Sequence, residues 1–528
     1  MANYSVLIKN GIVYDGEGSS PQRADIGISD NKIKNIGDLS SSNASITIDA
    51  KDRFVCPGFI DLTNHSDTHW TLLTSPGQEN LVRQGITTVI GGNCGSSVAP
   101  LAGKKGLESI QKWVDISSIN INWQTVDEFL SLLETRRTNV NFGMLVGYGT
   151  LRNAVIGDDT RAANEEENAK IKYLLDASLS QGAFGFSTNL GSYQKRYLRD
   201  DEIVGLLKIV AKRNGLAKHH LEDEGKNILP AISRIIQITR ESGVRSQISH
   251  FKAVGKTAWS LFYDGLAMIR KARDEGLKIT CDFSPYDITG STLYMLLPMW
   301  AREMNKNKLM EALRDRKSKE RRDLLSYLKD LTLHYDRIIV ASTQSELDQI
   351  GKSISELEKL TELPGEEIIL NLLEVNNFQV TIFNQAVSEE NIKKLAMEDY
   401  SMIASDGMSY PSPGLNFRSI PHPRSYGAYP RALSIFAKNG MLKWEEVIRK
   451  MTSQPADALG LKDRGRIKKG YFADLVIFDP KTIEDRATPS NSGAFPNGIE
   501  TVIINGKVVF NEGKMSAALP GVVLRKKQ

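Results

Sequence analysis

The chain divides by the period of its hydrophobic positions. Near the start, apolar and polar positions alternate in SVLIKNGIVYDG, ADIGISDNKIKNIG and ASITIDAKDRFV, with Asn and Asp at the reversals. A period of two predicts half-buried strands, and Asn10-Gly11 reads as a hairpin turn. The end of the chain repeats this pattern in FADLVIFDP and TVIINGKVVFNEGK, with a second turn at Asn505-Gly506. Neither end buries a sheet alone, so residues 1–57 and 460–528 are expected to make one small β-sandwich together.

The middle alternates differently. Short apolar runs are separated by longer helical stretches, which predicts parallel strands with crossover helices. The strand candidates are GFIDLTNH (58–65), TTVIGGNCG (87–95), NVNFGMLVG (139–147), AFGFSTNL (183–190), GLAKHHLE (215–222), RSQISH (245–250), KITCDFSPY (278–286) and YSMIASD (400–406). Between them lie segments such as EENAKIKYLLDASLSQG and DEIVGLLKIVAKRNG, the latter ending at Gly215, a C-terminal helix stop. Eight such units predict an α/β fold, a TIM-type (β/α)8 barrel. Strands one to seven fall within 58–292, and strand eight with the final helices within 376–459. The long gap between strands seven and eight is read as an inserted helical or α+β subdomain, 293–375. Its Lys and Arg residues are interleaved with Glu and Asp, as on a solvated helix face.

Composition narrows the class. Of 528 residues, 41% are hydrophobic and 25% charged, which suits a globular core. Lys plus Arg is 67 against 63 for Asp plus Glu, a net charge of +4, so no nucleic-acid partner is expected. Three cysteines, Cys56, Cys94 and Cys281, do not make a disulfide scaffold and suit a reducing compartment. There is no basic and apolar leader and no long apolar run, so a cytoplasmic protein with no membrane partner is expected.

Barrel active sites sit at strand C-termini, and the last residues of five candidate strands are His65, Cys94, His220, His250 and Asp406. Singly, each has a bland explanation: a buried cysteine, a core histidine, a turn aspartate. Their conjunction points to a metal site. Thiolate and imidazole suit zinc, with an open position for water. Asp406 is then placed to take the water's proton and give it to a leaving amine, which is hydrolysis of an amide or ester by a metal-activated water. Tyr286 and Thr292, in the loops after strand seven, are candidates for the substrate pocket of a small-molecule ligand.

The stretches PGFID (57–61), GITTVIGGNCG (85–95), GTLR (149–152), GAFGFSTNL (182–190), HLEDEG (220–225), SHFKAVG (249–255), SDG (405–407) and HPR (422–424) resemble the N-acyl-D-amino-acid deacylase, or D-aminoacylase, branch of the amidohydrolase superfamily. GRIKKGYFADLVIFDP (465–479) is similar to the superfamily's C-terminal β segment. The resemblance implies deacylation of N-acyl-D-amino acids. It implies one tight Zn2+ on Cys94, His220 and His250, and Asp406 as general acid/base. Lys252 and Arg424 would hold the substrate carboxylate, and Tyr193 would lie at the substrate.

One position departs from the pattern. The superfamily's first strand ends in His-x-His, and here it reads Asp61-Leu62-Thr63-Asn64-His65. Thr63 is a poor zinc ligand, so a second ion on His65 and Asp406 is expected to be weak or absent, with His69 and Asp67 as possible substitutes. Two alternatives remain open. A cyclic amidase of the hydantoinase or dihydroorotase kind would use a carboxylated lysine at the end of strand four, where FGFSTNL has none and Lys195 comes later. A catalytically impaired binding protein is the other, against which stand the intact Cys94, His220, His250 and Asp406.

Overall fold

The computed structural model describes residues 3–103, 120–157, 159, 161–191, 198–302, 304–331, 333–345, 347–410 and 419–527. Its centre is a parallel eight-stranded sheet. We number the strands β1 (Phe59–Asp61), β2 (Ile86–Gly91), β3 (Asn141–Gly147), β4 (Gly185–Asn189), β5 (Leu216–His220), β6 (Arg245–Ile248), β7 (Ile279–Phe283) and β8 (Ser401–Ile403). Each pairs in parallel with the next in the chain. Crossover helices cover the outside, so β2 and β3 are buried at every residue and read as apolar runs.

The seam between β8 and β1 is closed largely by side chains. Asn64 and Gly407 make a parallel bridge. The buried Asp61 carboxylate accepts from Ser405 N at 2.9 Å and from Ser405 Oγ at 2.5 Å. The Tyr429 hydroxyl lies 3.1 Å from Ile60 O and 3.3 Å from Ile403 O, on both sides of the seam.

Both chain ends join one nine-stranded sheet, in which Phe54–Pro57 pairs antiparallel with Leu475–Phe478. The Asn505-Gly506 turn is a hairpin, with both residues at positive φ, 48° and 73°. Asn10-Gly11 is not. It lies inside a continuous strand, Asn3–Val13, whose register shifts between Ile8 and Gly11. Both flanks pair with other strands, so the left-handed Asn10 (φ 64°) makes a bulge instead of a reversal.

The insertion has its own core, including Leu309, Leu313, Leu324, Leu328 and Ile369. It is wider than 293–375, because its three-stranded sheet takes Ile288–Thr292, Ile338–Ser342 and Thr381–Gln385. No helix among the described residues is long and apolar enough to cross a membrane.

Candidate active site

The five residues marked at strand ends meet at the C-terminal mouth of the barrel. The strands are shorter than expected because the chain turns sharply just past them. Cys94, His250 and Asp406 all have left-handed backbone, with φ of 52°, 36° and 53°. Such conformations cost energy in non-glycine residues and persist where the surroundings fix them.

The loop that carries Cys94 is pinned on every side. Gly92 N donates to Asp67 Oδ2 (2.7 Å), Asn93 Nδ2 to Ile90 O (2.7 Å), and Gly95 N to Ser187 Oγ (3.0 Å). A Cβ on Gly92 would stand 1.9 Å from Leu145 O, so only glycine fits there.

The donor atoms of Cys94, His220 and His250 lie within 4.8 Å of one another. Cys94 Sγ is 3.3 Å from His250 Nε2, and the two imidazole rings stand edge to face with centroids 4.4 Å apart. Among the described residues the buried His220 Nδ1 has no hydrogen-bond partner. A sulfur and two imidazoles so arranged fit a zinc-type cation. Strand alternation separates the neighbouring histidines: His219 is buried, with Nδ1 2.9 Å from Thr188 Oγ1.

Beside this triad, His65 Nε2 lies 3.1 Å from Asp406 Oδ1, and Arg424 Nη1 lies 2.5 Å from Asp406 Oδ2. Charge runs through the cluster. Burial opposes ionisation of Asp406, but Arg424, His250 and His65 hold its carboxyl well below the usual range. Burial likewise opposes the Cys94 thiolate, and the three histidines bring the thiol well below its ordinary value. His65 and His250 rise to about 10 against their burial, through the charges of Asp406 and Cys94.

Lys252 lies at the same mouth, with Nζ 2.7 Å from Glu224 Oε1 and 2.9 Å from His250 Nδ1. Tyr286 differs from the expectation in part. Its hydroxyl donates to Asp485 Oδ2 (2.7 Å), while the residue lines the small space beside Arg424 and Lys252. Thr292 belongs to the insertion's sheet, paired with Thr381. His69 lies outside the triad, its Nδ1 3.1 Å from His65 O, and Asp67 serves the Cys94 loop. Tyr193 and Lys195 lie outside the described residues.

Several residues were not singled out by the sequence. Glu224 Oε1 stands 3.1 Å from His250 Nδ1, so it receives that N–H when Nε2 faces the cation. Its signal was its place four residues after His220 in HLEDEG. Asp282 accepts the His250 backbone N–H at 2.6 Å. Asp282 Oδ2 also meets Lys218 Nζ at 3.0 Å and accepts from Thr63 Oγ1 at 2.8 Å. Lys218 Nζ donates to Thr63 Oγ1 at 2.6 Å, and both Lys218 and Asp282 are fully buried. The Thr63 hydroxyl is therefore committed to this network.

The Amidohydrolase family pattern matches residues 376–509. An N-acyl-D-glutamate deacylase of Alcaligenes xylosoxydans xylosoxydans is 30% identical over 522 residues, 99% of this chain and 96% of that protein. A D-aminoacylase of the same organism is 29% identical over 524 residues, covering 99% and 97%. The crystal structure of an N-acyl-D-glutamate deacylase from Bordetella bronchiseptica, complexed with zinc and a phosphonate inhibitor, superposes with a TM-score of 0.83. It is 26% identical, and 99% of this chain covers 100% of that one. With its barrel, its mouth cluster and this likeness along its whole length, the chain belongs to the N-acyl-D-amino-acid deacylase family of the amidohydrolases, enzymes that hydrolyse amides.

Proposed function

We propose that this enzyme removes the acyl group from an N-acyl-D-amino acid, using one Zn2+ held by Cys94, His220 and His250. The observation that carries this is the convergence of those three side chains within 4.8 Å at the barrel mouth, beside the Asp406 carboxyl group that His65 and Arg424 flank. Relatives that act on N-acyl-D-amino acids match along the full length. A zinc ion there supplies Lewis acidity for the scissile carbonyl and makes water a stronger acid.

The chain's own residues do the rest. Asp406, held as a carboxylate between His65 and Arg424, accepts the proton of the attacking water and delivers it to the departing amine. Arg424 and Lys252 present two cations for the substrate's carboxylate. Glu224 fixes the His250 tautomer. A single ion is favoured, because Thr63 gives its hydroxyl proton to Asp282 and one lone pair to Lys218.

The test is metal analysis with a substrate panel. One zinc per chain is expected, lost in Cys94→Ala, with turnover of N-acetyl-D-amino acids and not their L forms. Asp406→Asn should keep zinc and lose turnover. Full zinc in Cys94→Ala, or retained activity in Asp406→Asn, overturns the assignment.

A further inference from the structure

We propose a second ligand site at the opposite end of the barrel, which binds a phosphate group. A cavity of about 350 Å³ opens where β5, β6 and β7 begin, a volume within the range of small-molecule pockets. It is lined by Arg245, Arg273 and Lys278, with Ser246 and Thr280 beside them. Three cations around one cavity are a donor set for a multiply charged oxyanion.

The charge is poorly neutralised. Arg245 Nη2 donates to Asn214 O at 2.7 Å, and Lys526 Nζ donates to the same carbonyl. Two cations thus share one neutral acceptor. Among the described residues the buried Arg245 Nε finds no hydrogen-bond partner. Among the described residues no carboxylate pairs with Arg245, Lys278 or Lys526; Arg273 meets one, the well exposed Asp399 at 3.7 Å, and otherwise donates to the neutral Ile279 O at 2.7 Å and lies over the Tyr400 ring. Burial lowers the pKa of Arg245 and brings Lys526 down to about 8 with the help of Arg245's charge, as expected of cations crowded without a counter-ion.

A barrel of this type uses its other face for catalysis. No residue of the cavity belongs to the mouth cluster, so this site stands or falls apart from the deacylase assignment. The chemistry does not distinguish free phosphate from a small phosphate monoester. The cavity's polar groups recognise the dianionic head that both share.

Calorimetric titration of the zinc-loaded full-length protein, at fixed ionic strength in chloride, with inorganic phosphate and separately with glycerol phosphate, tests this. We expect saturable one-to-one binding of at least one of them. Binding of phosphate alone assigns the free ion, binding of the ester alone assigns a phosphorylated small molecule, and binding of both assigns the head group that they share. Lys278→Glu, at an exposed position that leaves the fold intact, should weaken binding at least tenfold and leave zinc content and deacylation unchanged. Arg245→Met should do the same. No saturable binding by either ligand, or equal binding in Lys278→Glu, overturns the proposal.

Discussion

Of the left-handed residues at the mouth, Cys94 and Asp406 have a signal in their neighbours, glycines near Cys94 in GGNCGSS and after Asp406 in SDG, whereas His250, between Ser249 and Phe251, has none. The residue types named the chemistry, and strand ends named the place. Glu224 was not legible as a partner of His250, because that contact joins the loops after β5 and β6, 26 residues apart. Its consequence is measurable. Glu224→Gln removes the charge that receives the His250 N–H and leaves Lys252 without its carboxylate. Zinc affinity should fall about 10- to 100-fold, as for other partners of metal-bound histidines. Competition with a chelator measures it, and unchanged affinity would remove Glu224 from this role.

At the scale of elements, short apolar runs between helical stretches located all eight barrel strands, but period-two patterning misread Asn10-Gly11, where a bulge satisfies the same residues as a turn. Patterning also hid the charge inside the barrel. Lys218 and His220 lie on the same face of β5, two residues apart, so a lysine in a buried strand was the available signal. The Lys218–Asp282 pair has no solvent exposure, and losing the lysine leaves the buried Asp282 charge with neutral donors and without its cation. Lys218→Met should therefore destabilise the enzyme by about 3–5 kcal/mol and weaken zinc binding through the His250 backbone. A melting temperature equal to that of the parent enzyme would contradict this. At the start of β8, Lys450 of the helix Trp444–Met451 donates to Ser401 O (3.2 Å), to Ser401 Oγ (3.1 Å) and to Glu398 O, and among the described residues no carboxylate pairs with it. Burial lowers its pKa from 10.5 to about 8. Between those values the unfolded chain binds more protons, so stability rises with pH. Relative to Lys450→Met, the parent should gain up to about 3 kcal/mol between pH 8 and 10.5, read as a rising difference in melting temperature. A flat difference would mean that Lys450 keeps its charge.

The molecule as a whole joins the insertion to the catalytic mouth through the segment that ends in HPR, a link absent from any local pattern because it spans strands far apart in the chain. Ser342 bridges to Ser419, and Ile420 N donates to Ala341 O at 2.8 Å. His422 is buried against Phe383, with ring centroids 4.8 Å apart and Nε2 3.2 Å from Ile288 O, both residues of the insertion's sheet. Its Nδ1 accepts from Arg424 N at 3.1 Å, so the guanidinium on Asp406 is set from the insertion. Cys94, His220 and His250, by contrast, lie at or just past the ends of barrel strands. Loosening the insertion should therefore disturb substrate binding before it disturbs the metal. Arg321 is the place to do so: it is 1% exposed, donates to Leu313 O at 2.8 Å and pairs with Glu367 at 2.5 Å in the insertion's core. Arg321→Met should cost on the order of 3 kcal/mol, split off an early calorimetric transition and raise KM, while zinc stays at one per chain. If zinc and KM change together at one transition, the insertion and barrel unfold as a unit and Arg424 is positioned by the barrel alone.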